Sequence, residues 1–225
     1  GLNSPLFMIQ RRVMADPPLD NAHCFKGMGL AYWRDMACGL QPTGTQAGPQ
    51  GHQVTYAKDP NDGFAMQNGG LSHPEMSLLH GRPIIRFMHA GTPTPHGLAA
   101  NWWLDIDAYP VLSHYALNQK ITLASAAQTL LVVPREWSDC GQMIVARPKV
   151  VLMGYRGKGR PVALLNGRDT SPDAQRLPGT RLYGAPQGTS LEQIFLPGER
   201  RFLASWLTLI SSHRADAGGG AIPPL

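Results

Sequence analysis

The chain predicts an α+β fold: a mixed or antiparallel sheet core with helices, preceded by a helical and loop-rich N-terminal appendage. Three observations predict it. Strand-like runs arrive in series and do not alternate strictly with helical stretches, which argues against a doubly wound sheet. Gly (25) and Pro (20) make up about a fifth of the 225 residues, so the chain turns often and is no plain helical bundle. Hydrophobic residues reach 43%, enough to bury a sizeable core. The expected organisation is an appendage over 1–70, a core domain over 71–214 and a disordered tail over 215–225.

Each element has its own warrant. Residues 1–15 read as a short helix or extended segment, with Leu6, Phe7, Ile9 and Val13 apolar and Asp16-Pro17-Pro18 as the stop. Residues 29–38 read as a helix, since Leu30, Trp33 and Cys38 fall near helical spacing and Gly39 suits a C-terminal cap. Residues 41–70 are rich in Gly, Gln, Pro and Asn and read as loop. Residues 73–80 suggest one helical turn.

Residues 84–90 read as a buried strand, with Ile84, Arg86 and Met88 on one face and Ile85, Phe87 and His89 on the other. Gly91-Thr92-Pro93-Thr94-Pro95 breaks it, and the adjacent Trp102 and Trp103 lead into a helix bearing Tyr109, Leu112 and Tyr115. Pro110 is tolerated only near that helix's start. A second helix is expected over 123–133. Strands follow over 142–146, 149–155, 161–165 and 191–196, with Gly157-Lys158-Gly159-Arg160 read as a turn. Residues 202–210 suit a closing helix or strand.

Charge and cysteines bound the function. A net charge of +5 permits an anionic partner such as a dinucleotide, an acidic protein or nucleic acid. The basic residues are scattered and lack the density of a nucleic-acid arm, so that partner rests on charge alone. Cys24, Cys38 and Cys140 form no CxxC pair, which argues against a zinc finger or a disulfide framework and for reduced thiols in the cytoplasm. No apolar run reaches the roughly 18 residues that a membrane span requires. Gln10-Arg11-Arg12 interrupts the only apolar run near the start, so no signal-peptide pattern is read there.

No phosphate-loop, dinucleotide-fingerprint, HExxH or GxSxG motif occurs. His89 and His96 flank the Pro-rich turn, yet no template spacing supports a metal site, and none is expected. Cys140 beside Asp139 reads as a small buried thiol before it reads as a nucleophile.

One series of residues carries chemistry when taken together. Arg86 lies on an early strand, the Trp102-Trp103 pair follows, and a late strand reads Leu191-Glu192-Gln193-Ile194-Phe195-Leu196-Pro197-Gly198. Over about residues 83–200 this outline resembles the ADP-ribosyltransferase family, which splits NAD and transfers ADP-ribose. The resemblance implies that Arg86 holds the dinucleotide and that the Glu192 carboxylate stabilises the ribosyl cation. It also implies that Trp102, Trp103, His89, Tyr155 and Gln193 shape the NAD pocket. A guanidinium fork suits a pyrophosphate, and aromatic faces suit a nicotinamide. The chain departs from the family in two places: its Ser-Thr-Ser motif is not evident, and the position that fits the run to Pro197 holds Gln193.

Two functional readings follow. The first is a toxin-like or effector domain that binds NAD and modifies a macromolecular, protein target. The alternative is a non-enzymatic protein of a plasmid or other mobile element that binds and inhibits a larger bacterial machine, such as a conjugation (fertility) inhibitor. Long Gly/Pro-rich segments that can dock onto a partner motivate it.

Overall fold

A computed structural model describes residues 18–40, 42–43, 55–56, 69–135, 137–165, 168–169, 180–186, 189 and 191–218. The segment 1–15, most of the loop 41–70 and residues 219–225 lie outside them. The first described helix, α1, spans Gly27–Ala37. It ends because Gly39 adopts φ +83°, which lets Gly39 N donate to Met36 O and Leu40 N donate to Asp35 O, both at 3.0 Å. The short strands β1 (Pro42–Thr43) and β2 (Thr55–Tyr56) pair antiparallel.

Strand β3 (Leu71–Leu79) replaces the helical turn expected over 73–80. Pro74 misled that expectation, but β3 is an edge strand, where a missing N–H costs no ladder bond. The register slips between Ser72 and Glu75, and His73 takes φ +48°, so the irregularity is absorbed as a bulge. Strand β4 (Ile84–Met88) follows, then the short helix α2 (Thr94–Leu98) and strand β5 (Trp102–Asp105).

Helices α3 (Ala108–Gln119) and α4 (Leu123–Leu130) come next, with Pro110 in the first turn of α3. Thr122 caps α4 by accepting from Ser125 N at 3.0 Å. Strands β6 (Gln142–Pro148) and β7 (Leu152–Gly159) run further than the sequence suggests. Gly157 belongs to β7 and not to a turn. A Cβ there would stand 2.8 Å from Ser72 O, so the missing side chain lets the bulged β3 approach.

Strands β8 (Val162–Leu165), β9 (Arg168–Asp169) and β10 (Thr180–Tyr183) make a small sheet in the order β10-β8-β9. Strand β11 (Glu192–Phe195), the short helix α5 (Arg200–Leu203) and strand β12 (Leu207–Arg214) complete the chain. The closing element is therefore a strand preceded by one helical turn.

The main sheet has seven antiparallel strands in the order β12-β6-β4-β5-β11-β7-β3, so the α+β class holds. Helices α3 and α4 bury Leu112, Ala116, Leu123 and Ala127 against Ile85, Phe87, Leu104, Met143 and Val145. The opposite face packs Ile84, Met88, Trp103, Ile144 and Ile194 against Leu203 and Trp206. Trp103 is 2% exposed, and truncating so large a buried ring would cost about 3–5 kcal/mol.

Residues 18–40 share this core. Trp33 and Ala37 of α1 pack with Leu71, Tyr155 and Phe195. Asn21, itself buried, donates to Met153 O at 2.7 Å and Pro197 O at 2.9 Å and accepts from Met153 N at 2.9 Å. At the other end Ala215 is buried and donates to Gly141 O at 2.8 Å, so the ordered core runs past residue 214.

Candidate functional site

Strands β4 and β5 share only two register pairs, Ile84 with Asp105 and Ile85 with Leu104. Beyond them α2 and its flanking turns intervene in the chain, and the strands part. A cavity of about 960 Å³ lies there. Residues 86–89 of β4 and its end line it, together with residues 99–104, His96 and Gly97. Tyr32 and Met36 of α1, the segment 131–133 after α4, Arg160 and Arg200 close it further.

Five of the seven residues singled out in the sequence meet in this cavity: Arg86, His89, Trp102, Trp103 and Gln193. Glu192 and Tyr155 do not line it. Strand period 2 alone does not explain Glu192, which shares the sheet face of Ile194, Trp103, Ile84 and Arg86. Gln193 and Phe195 share the opposite face. Glu192 instead lies with its carboxylate 3.7 Å from the Arg156 guanidinium, and its side chain is 60% exposed. Tyr155 is a core residue, 1% exposed, with its ring 5.2 Å from that of Phe25.

Gln193 is held in place by donating from Nε2 to Leu131 O at 2.9 Å. Trp102 packs edge-on against Phe195, with centroids 5.0 Å apart, while Trp103 anchors itself by donating from Nε1 to Ala100 O at 2.8 Å. Adjacent residues of a strand point to opposite faces, yet the parting of β4 from β5 lets both tryptophans contribute to the lining.

Arg86 is the unusual group. Its Nη1 donates to the Trp102 carbonyl at 3.0 Å, across the gap that the ladder leaves open. Its Nε is buried and has no hydrogen-bond partner among the described residues. No carboxylate among the described residues pairs with it. Burial holds its guanidinium down at about 10, well below the ordinary arginine value, with Cys140 opposing and the positive charge of Arg200 assisting. Arg86 is still a cation at neutral pH. A buried cation without a counter-ion is costly unless something else supplies the charge.

Cys140 does not supply it. Burial pushes its thiol up to about 11, so the group is neutral near pH 7 and is a poor nucleophile. His89 stands at the rim with Nδ1 3.3 Å from the Asp139 carboxylate. Burial alone would raise Asp139, but hydrogen bonds from the Ala90 and Gly141 amides and the nearby His89 hold its carboxyl below the usual range. Asp139 is thus occupied in fixing the 139–141 turn. Among the described residues no Asp or Glu lines the cavity, whereas Arg86, Arg160 and Arg200 do.

Sequence reasoning missed Arg200, Tyr32 and the segment 131–133. Arg200 sits in a run of charged residues, Glu199-Arg200-Arg201, that reads as a solvated turn. Only the third dimension brings it to β4. Among the described residues no group of three His, Cys, Asp or Glu converges on a metal-sized point. No helix described is long and apolar enough to cross a membrane. Compared with protein-family models, curated proteins and solved structures, the chain matches none.

Proposed function

We propose that this protein binds an NAD-class dinucleotide and holds it without splitting it. One observation carries the reading: the cavity gathers Arg86, His89, Trp102, Trp103 and Gln193 and leaves Glu192 outside. A cavity of about 960 Å³ is within the size range of small-molecule and cofactor sites. Its guanidinium groups suit phosphates, and its indole rings suit a planar base.

Group transfer asks for a carboxylate beside the developing ribosyl cation. The nearest residue of the late strand in the cavity is an amide, Gln193, whose nitrogen is already committed to the Leu131 carbonyl. Binding without turnover is therefore the better fit.

Titration with NAD, read by intrinsic tryptophan fluorescence and by calorimetry, tests this. Saturable quenching is expected, with the affinity reduced at least tenfold in Trp102→Ala. Nicotinamide release should stay at background in both the wild type and Glu192→Ala. Release above background that falls in Glu192→Ala would restore the transferase reading and contradict this one. The absence of saturable binding would remove NAD altogether.

A further inference from the structure

We infer that Arg86 and Arg200 together form a subsite for a dianionic phosphate monoester group. The inference deepens the ligand class of the same cavity and rests on its being a ligand site. It does not rest on the ligand being NAD.

The argument is one of charge balance. Among the described residues, Arg86 has no partner for its buried Nε, one nitrogen tied to a backbone carbonyl and no carboxylate against it. A second guanidinium, Arg200, lines the same cavity. The acids that could neutralise the pair are engaged elsewhere. Glu199 pairs with Arg201 at 2.7 Å, Asp105 pairs with Arg156, and Asp139 accepts from two backbone amides. Cys140 is a neutral thiol.

Two like charges in a partly desolvated space repel each other, and one monoanion would leave one of them uncompensated. A phosphate monoester carries close to two negative charges at neutral pH and three acceptor oxygens, so a single group can meet both forks. A dinucleotide's pyrophosphate spreads its two charges over two phosphorus centres, whereas a monoester gathers both on one. The subsite therefore favours a terminal or branching phosphate over a diester bridge. The remaining lining fits such a ligand: the half-buried indole of Trp102 offers a face for a base, and His96 and Arg160 add polar contacts.

The experiment uses the full chain and three probes at equal ionic strength: inorganic phosphate, NAD and NADP. Chloride is the control. Inorganic phosphate should raise the thermal midpoint where chloride does not, and the shift should vanish in Arg86→Gln and shrink in Arg200→Gln. Arg200 is exposed and its replacement leaves the core intact, so that variant decides the matter even where Arg86→Gln folds poorly. NADP, which adds a monoester phosphate to NAD, should bind at least tenfold more tightly than NAD.

A phosphate shift no larger than that of chloride overturns the subsite. Equal affinities for NAD and NADP also overturn it, while leaving dinucleotide binding in place. A phosphate-specific shift that shrinks in Arg200→Gln, with no binding of either dinucleotide, supports the subsite and sinks the NAD reading instead.

Discussion

Two arginines of one sheet, on strands separated by β5 and β11, have opposite fates. Arg156 of β7 sits among acids: it pairs with Asp105, stands 3.7 Å from Glu192 and donates from Nε to Ser77 Oγ at 2.8 Å. Arg86 of β4 has a backbone carbonyl, a buried unpaired Nε and another arginine nearby. The chain satisfies the first cation from within and leaves the second to be satisfied from without. A charge that the fold itself balances is a structural device. A buried charge that it leaves unbalanced is where a ligand is owed.

The contrast predicts different responses to the same substitution. Arg156→Met should lower stability by about 1–3 kcal/mol, because it strands the partly buried Asp105 carboxylate and the Ser77 hydroxyl. Chemical denaturation measures this, and ligand binding should be unchanged. A variant as stable as the wild type would mean that Arg156 is not balanced by its neighbours in the way described.

Arg86→Met should do the reverse. Replacing a half-buried cation that no described carboxylate compensates with an apolar side chain of similar length should leave the ligand-free protein as stable or up to about 1 kcal/mol more stable, while anion binding is lost. The sign with pH follows from the lowered pKa. The unfolded chain holds the Arg86 proton more tightly than the folded one, so wild-type stability relative to Arg86→Met should rise as pH climbs above about 10 towards the ordinary arginine value. A large loss of stability in Arg86→Met would make this arginine structural after all.

The smallest effect should come from Glu192→Ala. Its carboxylate is mostly exposed and adds only a second, longer contact to Arg156, so the change should stay under about 0.5 kcal/mol and leave binding untouched. Loss of ligand affinity would return Glu192 to the cavity and break the comparison.

Much of the fold was legible because the strands obey period 2. The run Ile84-Ile85-Arg86-Phe87-Met88 places Arg86 on the right strand and separates it from the helix-facing Ile85 and Phe87. The same rule, applied to β11, sends Glu192 and Gln193 to opposite faces but puts Glu192 on the face of Arg86, so period 2 alone does not show which of them lines the cavity. What the sequence hid was non-local. Pro74 masks β3 because a bulged edge strand tolerates it, and the glycines of 157–159 look like a turn although Gly157 makes room for that bulge and Gly159 for the Gln193 side chain. The pairing of Arg156 with Asp105, 51 positions apart, and the approach of Arg200 to Arg86 leave no local trace. Polar residues in loops carry no period from which a partner could be read.

The most direct test observes the unpaired atom itself. In a nitrogen-15 NMR spectrum the Arg86 Nε–H resonance, assigned by its loss in Arg86→Lys, should move downfield as inorganic phosphate is added and should saturate. The Arg156 resonance should stay where it is. An Arg86 signal that is indifferent to phosphate, or that moves no more than that of Arg156, would contradict the claim that this cation awaits an anion.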